Sequence, residues 1–527
     1  MIHDVSTRSR GLIRLGGKPL SSAFWFTACI ALGSGLLIAT LGLDRPYDAI
    51  PDQDLLWLRE ALLMHQGKAP GYPDHPGIFW QLLYTIKLKW LSFSKPLRFG
   101  AVIPISRDDA NLIIRWARLE NGILAGLTSL LLWPTLRQLG IQRWLTSISL
   151  ITCCLCLGNL ESTIQIGNEL TSTFFLLAYL NIALLLPNLK SGPYCRAASA
   201  AAMACFLVAA YCKVQILILA PFLFVLILGN QYLNTDKENI FRRTGLISLE
   251  NLKALAVSLT MGSGIWLIAV SGPVFASLNR FQHVRSEFDL PFWTATNALL
   301  ILTTRASSSQ RNAVKTTWRV GLLYGAVTLL ISRVLAYPVW TAQVFSFPSN
   351  ALGFSGGDNR LVLLQEGIDK YLSDLFISSP SITLLLTAGL AISLLSQAIR
   401  RHHKPTASKA TWLLCLLGLC CSIWMANAMR PRGFYELYLI IPALILLTLC
   451  ISTWRTPSKR SMTAVFAITL IGLSLIQSVA NVLLVPQIAQ MTQPRQYLCF
   501  EQAFDQALSR TSIATCPNFG DYLERHS

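Results

Sequence analysis

Apolar runs of roughly 17 to 25 residues recur along almost the whole chain, separated by short stretches that collect lysine and arginine. In hydrocarbon every backbone polar group must be satisfied within the protein, which leaves helices or closed barrels as spanning structures. Runs of this length read as spanning helices. Only 13% of the 527 residues are charged while 53% are hydrophobic. A soluble domain carries about 25% charged residues, so soluble globular and disordered classes are excluded. The fold class expected is an all-α polytopic membrane protein.

Spans are predicted near 22 to 42, 117 to 136, 144 to 162, 169 to 187, 196 to 211, 214 to 229, 254 to 272, 288 to 304, 319 to 337, 379 to 397, 411 to 427, 433 to 453 and 462 to 485. That is thirteen, an odd number, which places the termini on opposite sides. With the N-terminus in the cytoplasm, the cytoplasmic segments hold 23 basic and 4 acidic residues, leaving 21 basic and 22 acidic of the chain's 44 and 26 elsewhere. The formal surplus of +18 is thus accounted for by one side of the membrane, as the positive-inside rule requires, and no nucleic-acid partner is expected. Residues 1–21 form a cytoplasmic N-terminus, 22–485 the membrane domain with outer loops 43–116 and 338–378, and 486–527 an outer tail. The first run spans and has no small-residue cleavage site before Asp44, so it is read as an anchor.

Most of the 13 cysteines, such as Cys153, Cys212 and Cys450, lie in or beside apolar runs without metal-ligand spacing and act as small hydrophobes. Cys499 and Cys516 stand in the polar tail and pair if that tail faces an oxidising compartment. No internal repeat, phosphate-binding glycine loop, dinucleotide fingerprint or HExxH occurs.

The first outer loop is acidic on a basic protein: Asp44, Asp48, Asp52, Asp54, Glu60 and Asp74 stand against Arg45, Arg59 and Lys68 between residues 43 and 77. Leucines at 55, 58 and 62, with 56 and 63, predict a helix from Asp54 to Gln66 that stops at Gly67. The stretch 77 to 93 is apolar but carries Lys87 and Lys89, which a lipid-facing span would bury at high cost. An in-plane interfacial helix is predicted there, holding Asp52 and His75 over the mouth of the bundle.

The order Asp52-Gln53, a helix to Gly67, then His75-Pro76-Gly77 opening an apolar helix resembles the GT-C superfamily of membrane glycosyltransferases. It is most similar to the protein mannosyltransferase and aminoarabinose transferase type, where the loop reads Asp-Glu, a helix to Gly, then His-Pro-Pro-Leu. Arg118 looks like the arginine opening the second span, Glu169 like the acid beginning the fourth, and Lys213 like the basic residue between the fifth and sixth. Thirteen spans with an outer tail also agree with that type. Gln53, Gly77 and Glu169 depart from its usual residues and bear on the choice of donor and acceptor.

The resemblance implies transfer, with inversion, of a sugar from a polyprenyl-phosphate donor to a glycan, lipid or protein acceptor on the outer face of a bacterial inner membrane. A carboxylate must take the acceptor's proton and cations must stabilise the departing phosphate. By motif position Asp52 is the base; its alternative is the N-cap of the following helix, and Asp54 competes for either role. His75 contacts substrate or makes a local turn contact. Glu169 orients substrate or sits favourably on a helix N-terminus. Lys213, Arg430 and Arg432 are the phosphate candidates, the arginines preferred for their bidentate fork, with interfacial snorkelling as the alternative. Arg280 and His283 form a further outer basic cluster with Arg285. The superfamily admits a divalent cation, which a lone set of carboxylates does not establish. A transporter or flippase would show inverted repeats and broken helices with midplane charges, none of which the sequence displays, and a polymerase or ligase of lipid-linked glycans would not require the first-loop motif.

Overall fold

The computed structural model describes residues 22–43, 54–67, 77–99, 107–164, 166–189, 192–234, 249–278, 286–305, 313–348, 404–428 and 436–453, with isolated positions 362, 365, 366, 368, 369 and 483. Among the described residues every regular element is helical. In chain order these are α1 (Ser22–Leu41), α2 (Asp54–His65), α3 (Ile78–Phe99), α4 (Arg107–Gln138), α5 (Arg143–Cys154), α6 (Leu157–Ile164), α7 (Asn168–Leu185) and α8 (Pro193–Cys212). A 3-10 turn, Val214–Leu219, leads into α9 (Ala220–Asn234), followed by α10 (Leu249–Val270), α11 (Pro273–Leu278), α12 (Ser286–Thr304) and α13 (Ala313–Leu329). A π turn, Leu330–Leu335, precedes α14 (Pro338–Phe345), and α15 (Lys404–Ala428) and α16 (Glu436–Thr453) complete the set.

Six segments among the described residues are long and apolar enough to cross a bilayer: Phe24–Leu41, Asn168–Asn188, Pro193–Cys212, Val214–Gln231, Leu249–Val270 and Ala313–Leu335. The chain is therefore a polytopic helical membrane protein, with fewer clear spans among these residues than the thirteen expected. The predicted spans 379–397 and 462–485 lie outside the described residues. The predicted span 144–162 is not one rod: α5 and α6 are bent by 50°. Asn159 donates to the Cys154 carbonyl at 2.9 Å, filling the position a continuing helix would have used. The expected second span is the inner part of a longer helix, α4, in which buried Asn121, Thr128, Ser129 and Thr135 interrupt the apolar run.

α1 packs along α4 through a seam of small residues. A Cβ on Gly35 would stand 2.2 Å from the Gly122 carbonyl oxygen, and one on Gly126 2.8 Å from that of Ala31. This is the close backbone approach that small residues permit between membrane helices, where dispersion and not water drives association. The main core joins α7, α8, α9, α10, α12, α13 and α16. A satellite cluster of Trp57, Leu58, Trp80, Tyr84, Leu88 and Ile113 binds α2 and α3 to each other and to α4.

α2 occupies the predicted helix, and Gly67 ends it with φ 77°, a left-handed turn that glycine adopts without strain. On α3, Ile86, Trp90 and Phe93 are exposed on one side while Lys87 turns inward to an ion pair with Glu120 of α4 and lies 5.8 Å from the centre of the Tyr84 ring. Burial lowers the Lys87 pKa, and Glu120 opposes that shift. The expected outer segment 338–378 begins with α14, whose Trp340, Thr341, Ala342 and Val344 are wholly buried; Tyr211 of α8 donates to the Thr341 hydroxyl at 2.9 Å.

Candidate functional site

α7 begins with six residues, Asn168 to Thr173, that are polar except for Leu170, before its apolar run, and all six side chains are buried. Gly167 before it is extended and provides no side-chain cap, so the first amides of the helix are not met from within the helix. Ser172 and Thr173 turn their hydroxyls back to the Glu169 carbonyl at 2.9 and 2.7 Å. α8 stops at Cys212, and Lys213 is extended at φ −153°, ψ 105° before the 3-10 turn. A side chain leaving the backbone at such a break crosses to a neighbouring helix instead of following its own. Lys213 Nζ meets Glu169 Oε1 at 2.8 Å, with 2% and 1% of the two side chains exposed. Two charges this deep are tolerated because each neutralises the other.

Three other parts of the chain converge on this pair. Trp80, in the first turn of α3, donates its indole N–H to the Gly167 carbonyl at 3.1 Å, and Phe79 meets Phe175 of α7 edge-on at 6.0 Å. Gly77, which closes the His-Pro-Gly motif, has φ 49°; a Cβ there would stand 2.4 Å from the Trp57 ring and 2.9 Å from Asn168 Nδ2. A proline, fixed near φ of about −65°, fits neither this backbone nor this space. From the C-terminal side, Tyr438 near the start of α16 brings its hydroxyl to 3.4 Å from Ser172 Oγ. Below the pair, Thr173, Leu177, Leu219, Phe222 and Pro442 line an apolar cleft between α7, the 3-10 turn, α9 and α16.

Of the residues singled out in the sequence, Glu169 and Lys213 are thus brought together, and Lys213 holds a carboxylate. Asp54 is the first residue of α2. Asp52, His75, Arg280, His283, Arg430 and Arg432 lie outside the described residues, as do Cys499 and Cys516. By chain position Asp52 precedes α2 by two residues, His75 precedes Gly77 by two, and Arg430 and Arg432 stand between α15 and α16. Arg118 does not open its helix: it lies three turns into α4, buried, and its Nη1 donates to the carbonyls of Gly42 and Leu43 at 3.0 Å each, tying down the end of α1. Sequence reading passed over Asn168, Thr171, Trp57, Trp80 and the Ser172–Tyr438 contact. The five polar residues between Asn168 and Thr173, opening an apolar span, were the signal available. Glu60 and Asp289 are further buried acids, Asp289 in the first turn of α12 where the helix dipole favours it.

Among the described residues no group of three His, Cys, Asp or Glu side chains is placed to hold a metal ion. Glu169 does not fit a cation ligand in this arrangement, because its carboxylate is already held by an ammonium.

No protein-family model and no curated protein matches the sequence. By structure, the chain is similar to the oligosaccharyltransferase of Archaeoglobus fulgidus, crystallised with Zn and sulfate, at 12% identity and a TM-score of 0.38. That match covers 87% of this chain and 53% of the other, so this chain spans about half the length of that protein. A TM-score of this size does not establish a common fold.

Proposed function

We propose that this protein is a GT-C-type membrane glycosyltransferase that moves a sugar from a polyprenyl-phosphate donor to an acceptor on the outer face of the membrane. The observation that supports the reading is the position of Gly77, the residue after His75-Pro76. Gly77, which follows His75-Pro76 in the chain, lies against Asn168, the neighbour of Glu169 in the buried Glu169–Lys213 pair, so three positions matched to the family from widely separated places in the chain meet at one site.

In the proposed reaction the Asp52 carboxylate accepts the proton of the acceptor hydroxyl as that oxygen forms a bond to the anomeric carbon. The bond from that carbon to the phosphate oxygen breaks, its electron pair leaving on the polyprenyl phosphate. Attack opposite the leaving group inverts the anomeric centre. Arg430 and Arg432 hold the phosphate; Lys213 is better suited to fixing the start of α7 through Glu169, since its charge is already answered there.

The test is transfer of label from radiolabelled polyprenyl-phosphate sugars extracted from membranes. Asp52→Asn removes the proton acceptor at constant shape and is expected to lower turnover by at least about a hundredfold, the scale of general-base catalysis, with normal expression. Asp54→Asn should do less. Near wild-type transfer by Asp52→Asn would overturn the assignment of the base, and binding of lipid-linked sugar without transfer by the wild type would favour a flippase.

A further inference from the structure

The first residue of α7, Asn168, is 1% exposed, and neither its Oδ1 nor its Nδ2 has a hydrogen-bond partner. Three residues on, and therefore on the same side of the helix, Thr171 is wholly buried with its hydroxyl also unpartnered. Buried polar groups in folded proteins are almost always paired, so two on one helix face call for a partner from outside the chain. The surroundings narrow its chemistry. Glu169 and Lys213 cancel each other's charge, so a ligand reaching Asn168 meets no net charge from them. A carboxamide carries donor and acceptor in one plane, and a hydroxyl gives and takes one hydrogen bond each; together they match vicinal hydroxyls better than a phosphate, which only accepts. Against Asn168 lies Gly77, a residue without a side chain, directly after His75-Pro76.

We propose that Asn168, with Thr171, is the specificity-determining element that hydrogen-bonds hydroxyls of the transferred sugar. This rests on the glycosyltransferase reading and adds to it the group that distinguishes one sugar from another. The phosphate is met elsewhere.

The experiment uses the full chain in lipid nanodiscs with polyprenyl-phosphate-linked sugars from membrane extract, then with monodeoxy analogues of whichever sugar is transferred. Asn168→Ala is expected to raise donor KM about tenfold, the scale of one or two net hydrogen bonds, with a smaller change in kcat. One deoxy analogue should lose as much affinity for the wild type as Asn168→Ala loses for the parent sugar, and Asn168→Ala should lose nothing further with that analogue. Without ligand, Asn168→Ala should melt at or above the wild-type temperature, because it removes an unpaired buried group. The role is overturned if wild type and Asn168→Ala share the same KM and the same ranking of analogues, or if Asn168→Ala melts lower while keeping that ranking, the mark of a purely structural residue. Asn168→Leu, closer in volume, repeats the comparison should the alanine variant fold poorly. A wild type that transfers no sugar from the extract overturns the glycosyltransferase reading itself, and this assignment with it.

Discussion

Read as isolated letters, Lys213 is a cation for a phosphate and Glu169 an acid at a helix end; folded, they are one buried pair. Removing one member strands the other charge in a dry site, an effect of about 3–5 kcal/mol in buried pairs, whereas replacing both by neutral groups of similar size often costs little. Lys213→Met and Glu169→Gln should therefore each destabilise strongly, and the double variant less than either. A double-mutant cycle on thermal unfolding in detergent measures this. Additive losses would show that the two side chains are not coupled. Gly77 makes a related point: its positive φ and its contact with Trp57 and Asn168 leave no room for the second proline of the resembled motif.

At the scale of elements, the α1–α4 seam depends on glycine at chosen positions. A Cβ on Gly122 would stand 2.6 Å from the Gly35 carbonyl oxygen, while one on Gly33 of α1 would meet nothing within 4 Å. Gly122→Val should lose about 1–3 kcal/mol of stability through overpacking, and Gly33→Val much less, as judged by melting in detergent. The α2–α3 hairpin carries a second test. His65 at the end of α2 lies 3.2 Å from Ser92 Oγ of α3, and burial, then the nearby Lys89 charge, lower its pKa below the ordinary 6.5. A histidine with a lowered folded-state pKa resists protonation, so the unfolded form binds more protons below pH 6.5 and stability falls as pH drops through that value toward the folded pKa. Amide protection factors in α2 and α3, which are exchange rates corrected for the intrinsic pH dependence, should fall as the pH drops below 6.5 in the wild type and stay flat in His65→Gln. An equal fall in both would place the pH response elsewhere.

For the whole molecule, the contacts sort the helix ends. The end of α1, the turn before α7, Lys213 and the start of α16 gather at one end of the bundle through Arg118, Trp80, Glu169 and Ser172. Tyr179, which bonds Thr303 at 2.8 Å, lies some ten residues further along α7, or about 15 Å, with the end of α12. The charge partition predicts that the first of these ends faces outward. It also predicts an outer C-terminus, so a reporter fused after Ser527 should be accessible from the outer face, and Cys499 and Cys516 should resist alkylation until reduced. Cytoplasmic reporter activity would remove both the thirteen-span topology and the disulfide.

The sequence by itself determined that this chain is a helical membrane protein, because long apolar runs admit almost no other solution in lipid. It determined the helix from Asp54 and its stop at Gly67 through local periodicity and backbone preference, and it marked the break at Lys213 by a charge between two apolar runs. Only the tertiary structure decided that Lys213 answers Glu169, that Arg118 holds the end of α1 instead of opening α4, that α14 is buried, and that Asn168 sits beneath Gly77. Each of these joins residues far apart in the chain or depends on what a helix packs against. Periodicity reports which side of a helix is apolar; it carries no record of which neighbour that side will meet.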